Sequence, residues 1–393
     1  MYAFTLDISL SALILYVVAG VLIIIYVFIG LRPLWKVTNA IRRSREDITV
    51  LSRNRPVSII VFASDQADGL KRLLPVLLTQ NYDAPYEVIV VNDGESDSTV
   101  EIVERLRLQH DNLYLTYTPD GARQLSRKKL ALTIGIKAAH YPVVIQTIAS
   151  AVIKSPDWLA RMTEPFNDGT TEIVLGLSYL SHEDDHGMTK TFRTFNSAAD
   201  TLAWVWSAMC RRPYRGTELN LAYTRDVFFR NRGFSRSLNL KYGDDDIFVS
   251  EIAHKENTAI VVHPDAMVQY KNYNIGHAFR NLRDRYYFTG RKISHRSRRL
   301  MAVASWLVWG VVALCVVAAI LMWPNLTWTV VSAFVILSLL IVSAVLWRKT
   351  VSLLSLQKLS LTLPIAVMTR PFANIIASVK ALAHRRHNYT WVK

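Results

Sequence analysis

Three apolar stretches, at residues 8–31, 300–323 and 328–347, divide the chain into unequal parts, and no charged residue falls inside any of them. Each is long enough to cross a hydrocarbon core of roughly 30 Å. Between the first and second, from residue 55 onward, short β-branched runs alternate with stretches of helical period. The runs at 57–63, 87–91, 113–118, 143–147 and 173–177 predict strands, and 70–80, 100–109 and 128–140 predict helices. Strands separated by helices imply parallel pairing in a three-layer α/β domain. Ligands of such domains bind beyond the carboxyl ends of the strands. Residues 179–190 read as an insertion before a helix containing Trp204 and Trp206, and Gly243-Asp244-Asp245-Asp246 opens a helix to residue 254. Residues 351–384 hold only short apolar runs, broken by Lys358, Pro364, Arg370 and Pro371, and read as interfacial amphipathic segments.

The flanking charges orient the spans. Asp7 precedes the first span with no Lys or Arg, unlike a secretory signal, whereas Arg32, Lys36, Arg42, Arg43 and Arg45 follow it. This pattern predicts an external N-terminus and a cytoplasmic domain after the span. The basic residues 291–299, with Arg348 and Lys349, fit the same side for the second and third spans. The expected organisation is an anchor at 1–31, a basic juxtamembrane linker at 32–55 and a cytoplasmic domain at 56–290. A basic flank and transmembrane hairpin follow at 291–347, then an interfacial segment at 348–393. Much of the net charge of +15 lies beside the spans, where anionic headgroups account for it. With no basic-aromatic interleaving, no nucleic acid partner is expected. Cys210 lies in the central domain and Cys315 in a span, so no mutual disulfide is expected.

Several short motifs carry two meanings. Asn92-Asp93-Gly94 after a strand is ordinary turn chemistry or a ligand contact. Asp244 to Asp246 suit the N-terminus of a helix whatever else they do. His182-Glu183-Asp184-Asp185-His186 spells a zinc-protease string, but it follows a strand and meets Gly187 at once, so a solvated loop is the expected reading.

Taken together, residues 56–290 resemble the GT-A domain of membrane-bound family 2 glycosyltransferases, of the cellulose, hyaluronan and poly-N-acetylglucosamine synthase type. The resemblance rests on Val-Ile-Val-Val-Asn-Asp-Gly-Glu-Ser-Asp-Ser-Thr at 88–99, Lys128-Lys129-Leu-Ala-Leu with Gly135-Ile-Lys-Ala-Ala139, and Ser155-Pro-Asp-Trp158. Asn220-Leu-Ala-Tyr223 and Gly243 to Asp246 complete it. It implies an α/β GT-A fold with three transmembrane helices, in a protein of a bacterial inner membrane. It also implies a nucleotide-sugar partner such as a UDP-sugar, and contact with membrane lipid. Asp245, or else Asp244, takes the place of the catalytic base. Asp93, Lys128, Lys129 and Arg285 take places on the donor side. Inverting transfer needs such a base and positive charge over the departing diphosphate.

The departures are as specific as the matches. The family's metal-binding Asp-x-Asp aligns with Ile148-Ala149-Ser150, so neither carboxylate remains. Magnesium and manganese want hard oxygen ligands, and no metal cofactor is expected. Asp65-Gln66 replaces Asn-Glu, Gly216-Thr217-Glu218 replaces a Gly-x-Gly turn, and Leu282 to Tyr286 keeps only Arg285 of a Gln-x-x-Arg-Trp motif. Two expectations follow. One is a pseudo-transferase with a degenerate metal site, acting with an active glycosyltransferase partner in polysaccharide or lipid-linked glycan assembly. The other is an active, inverting, metal-independent transferase using Lys or Arg at the diphosphate.

Overall fold

The structure, a computed structural model, describes residues 8–46, 55–93, 97–119, 125–181, 187–272, 274–293, 296–355 and 362–383. Asp7, Lys358 and the His182 to His186 string lie outside them. The chain forms two compact units, each drawn from separate stretches. One comprises Met1–Asn39, Asp185–Ala203 and His295–Ala377; the other comprises Ala40–Asp184, Trp204–Ser294 and Ser378–Lys393.

The larger unit is a mixed α/β fold. Its strands are β1 Val57–Ala63, β2 Tyr86–Asn92, β3 Leu113–Tyr117, β4 Val143–Ile148, β5 Ala151–Ile153, β6 Ile173–Gly176, β7 Ser178–Leu180, β8 Leu221–Thr224, β9 Thr258–Val261 and β10 Val268–Tyr270. Seven form the main sheet in the order β3-β2-β1-β4-β8-β6-β9, and β5-β10-β7 form a small second sheet. β1, β2 and β4 are buried along nearly their whole length. Covering by helices on both faces is why they read as continuous apolar runs rather than as alternation.

β1 through β4 pair in parallel as the alternation predicts, with Val57 opposite both Tyr86 and Val143. β8 departs from that expectation, lying antiparallel between β4 and β6. Between β6 and β8 the chain leaves the main sheet for β7 and the helix Gly187–Met209, so β8 is not joined to its neighbour by a direct βαβ crossover. β7 opens the segment read as an insertion. The helix Arg127–Ala138 lies so close to the sheet that a Cβ on Gly135 would stand 2.6 Å from Ile60 Cγ2.

The other unit is helical. Leu10–Tyr26 continues through a π-helical turn at Val27–Leu31 into Arg32–Glu46. Among the described residues, three helices are long and apolar enough to cross a membrane: Leu10–Glu46, Arg299–Leu321 and Leu326–Leu354. Polar rungs tie the first to the third: Tyr16 with Ser332 at 2.7 Å, Tyr26 with Ser343 at 3.1 Å and Thr38 with Thr350 at 2.8 Å. Because the partner numbers rise together, these two helices run parallel. The second helix runs opposite to the first, with Ser9 against Met322 and Leu22 against Gly310. That alternation is what three successive crossings require.

The region expected to be broken by Arg370 and Pro371 is instead one helix, Leu363–Ala383. Arg370 is buried; its Nη2 donates to Asp200 Oδ1 at 3.0 Å and its guanidinium lies over the Phe195 ring. A charge that looked like an interruption is compensated by a partner 170 residues away.

Candidate active site

β1 pairs with β2 on one side and β4 on the other, so the chain reverses its direction of winding at β1. Such a switch point leaves a crevice at the carboxyl ends of the strands. A cavity of about 590 Å³ opens there, walled by Phe62 near the end of β1, Asp93 after β2, and Lys128, Glu218, Asp244 and Arg285.

Asp93 is held from two sides. Its backbone N–H donates to Ala63 O at 2.8 Å, and its Oδ1 accepts from Arg127 Nε at 2.9 Å and from the Thr118 hydroxyl. Arg127, which sequence reasoning passed over, begins the helix Arg127–Ala138 one residue before Lys128. That adjacency is its only sequence signal.

At the cavity wall lies a cluster of five charged side chains, four of which line the cavity while Asp245 is buried behind them. Lys128 Nζ bonds the Glu218 carboxylate and lies 2.7 Å from Asp244 Oδ2. Arg285, on the helix Ile275–Thr289, bonds Glu218 as well, and its Nη2 lies 2.9 Å from Asp244 Oδ1 and 2.8 Å from Asp245 Oδ1. Three carboxylates thus share two cations. Burial would push the Asp244 carboxyl up, but the adjacent Lys128 and Arg285 hold it well below the usual range. Glu218 is lowered by the same two cations against its own burial. Burial would lower the Lys128 ammonium, yet Asp244 and Glu218 raise it. Asp245 goes the other way: burial, with Asp246, Asp244 and Glu218 crowding it, outweighs Arg285 and pushes it up to about 7.

The two candidate bases therefore occupy different places. Asp244 lines the cavity, whereas Asp245 is 0% exposed and caps the helix Asp246–Ile252, accepting from the Asp246 N–H at 2.8 Å. Gly243 turns the chain into this helix at φ +106°, a conformation that favours glycine.

Lys129 is placed away from the donor side. Its ammonium is fully buried and donates to the carbonyls of Ser237, Leu240 and Tyr242 at 2.6, 3.3 and 2.8 Å, and to Ser237 Oγ. Burial lowers it to about 8. Neighbouring positions on a helix point about 100° apart, so Lys128 and Lys129 cannot both face one ligand. Lys129 instead clasps the segment leading into Asp244.

Ile148 ends β4 with its side chain in the apolar core, and the nearby Ser150 Oγ is buried without a hydrogen-bond partner among the described residues. Asn220, in the segment resembling the acceptor side, is also structural. It accepts from Trp158 Nε1 at 3.1 Å and donates to Leu177 O and Ala266 O at 2.9 and 2.7 Å.

The switch-point cavity, the sheet order and the paired groups at its rim define a GT-A-like domain. Residues 58–243, just under half of the chain, match the family described as Glycosyl transferase family 2. A comparison with curated proteins gives no match. Among solved structures, the mannosyltransferase PcManGT from Pyrobaculum calidifontis, in complex with GDP-Man and Mn2+, is similar at a TM-score of 0.54 and 17% identity. The match covers 92% of this chain and 99% of that one, and it supports the fold. TarS from S. aureus is more distant, at a TM-score of 0.42 and 13% identity, over 84% of this chain and 55% of that one.

Proposed function

We propose that this chain is a membrane-anchored pseudo-transferase that holds a nucleotide sugar in the cavity without turning it over, and serves an active glycosyltransferase in polysaccharide or lipid-linked glycan assembly. The observation that carries this reading is the closed cluster of Lys128, Arg285, Glu218, Asp244 and Asp245. A general base must reach the acceptor and have a pKa near the working pH. Asp244 reaches the cavity but is held too acidic; Asp245 has a suitable pKa but lies behind Arg285 without access. Ile148 offers no oxygen to a divalent ion, which needs several hard ligands. The GDP-Man named for the similar archaeal structure makes a nucleotide sugar the first ligand to try.

A second reading, a metal-independent inverting transferase, is favoured by Lys128 and Arg285 lining the same cavity as Asp244. There the two cations neutralise the diphosphate, and Asp244, relieved of them, becomes a stronger base. The detergent-solubilised full chain, titrated calorimetrically with UDP, GDP and their sugars with and without manganese, tests both. The expected result is metal-insensitive binding in the micromolar range with no release of free nucleotide from any sugar donor. Nucleotide release abolished by Asp244→Asn would replace the first reading with the second; absence of all binding would remove both.

A further inference from the structure

Glu218 is not one of the residues that the reaction chemistry calls for, yet it is central to the cavity. A single oxygen, Oε2, bonds both Lys128 Nζ and Arg285 Nη1. The side chain is 14% exposed, so it is largely desolvated while still bordering the open cavity. Glu218 sits in a turn ahead of β8, where Asn220 N–H donates to Thr217 O at 3.2 Å, and belongs to no helix or strand. Its carboxylate is therefore carried on a long side chain from a turn. Asp244, by contrast, is fixed between the Gly243 turn and the helix Asp246–Ile252.

We infer that Glu218 is an internal counter-anion for Lys128 and Arg285, and that an anionic ligand enters the cavity by displacing its carboxylate. The inference rests on the reading that the cavity receives a phosphate-bearing ligand. Asp244 also bridges the two cations, but one carboxylate against two cations would leave a desolvated positive charge uncompensated, which is costly. Glu218 meets that need, and by doing so it competes with any incoming anion. A monoanion such as acetate exchanges one carboxylate for another and gains little. A diphosphate brings more charge and more acceptor oxygens to the same two cations, which favours displacement. Glu218 thus selects for multiply charged phosphate groups and sets the threshold affinity for them.

The probe is inorganic pyrophosphate, titrated into the solubilised full chain. Glu218→Gln removes the competing charge while keeping the shape, and should bind pyrophosphate at least about tenfold more tightly than the natural chain. Glu218→Gly, which removes the side chain altogether, should show the same gain and serves if the Gln variant folds poorly. Acetate should bind neither form measurably, and Lys128→Met in the Glu218→Gln background should lose the gain. Equal or weaker pyrophosphate binding by both Glu218 variants, with thermal unfolding intact, overturns the inference. A gain for pyrophosphate without binding of any nucleotide would leave the role of Glu218 standing while removing the nucleotide-sugar reading.

Discussion

The Lys128 ammonium lies 2.7 Å from Asp244 Oδ2; the Asp244 side chain is buried and that of Lys128 is part-buried at the cavity wall. A pair of this kind is asymmetric in its energetics. Replacing both partners costs little, whereas removing one strands the other.

Lys128→Met should therefore lower stability by roughly 3 kcal/mol, because Glu218 and Asp244 lose one of the two cations they share. Adding Glu218→Gln should restore part of that loss. Thermal unfolding of the two variants beside the natural chain reads the effect. A Lys128→Met midpoint unchanged from the natural chain would mean the cluster is too well solvated to matter.

Asp245 makes stability depend on pH in a definite direction. Its carboxyl titrates at about 7 in the folded chain and at about 3.9 when unfolded. A raised value of this kind gives stability that is fully present below the unfolded pKa and is lost as pH rises through about 7. Asp245→Asn fixes the neutral form. Between about pH 4 and pH 8 the variant should gain on the natural chain by roughly 4 kcal/mol. Parallel unfolding curves across that range would contradict the assignment.

Lys129→Met leaves the carbonyls of Ser237, Leu240 and Tyr242 without their donor. The expected cost is about 2–3 kcal/mol, with faster hydrogen exchange concentrated at residues 237–246. Exchange that rises evenly over the whole domain would argue against a local clasp.

In the helical unit, Arg370→Leu and Asp200→Leu should each destabilise more than the two together. The coupling energy expected for a buried, hydrogen-bonded pair is about 1–3 kcal/mol. A double-variant cycle on the solubilised chain measures it, and strict additivity would show that the pair contributes no net interaction.

What could be read from the sequence followed from periodicity and burial. β1, β2 and β4 are enclosed on both faces, so their apolar runs stand out, whereas the three spans stand out by length and apolar composition although little of their surface is buried within the protein. β8 is four residues long and its direction depends on the chain path before it, which no local pattern records. Asp93, Lys128 and Arg285 all line the cavity. Lys129 does not, because a helix turns it toward the Ser237 to Tyr242 carbonyls. The order of Asp244 and Asp245 depends on the φ of Gly243, and Glu218 looked like the loss of a small residue rather than the gain of a charge.

The unequal ratio of carboxylates to cations has a calorimetric consequence. With Asp245 poised at about 7, an anion arriving beside Arg285 draws that guanidinium away from it and raises its affinity for a proton. Binding near neutral pH is then accompanied by proton uptake from the medium. The heat observed for one ligand will differ between a buffer of high ionisation enthalpy and one of low, and the slope of that difference counts the protons taken up.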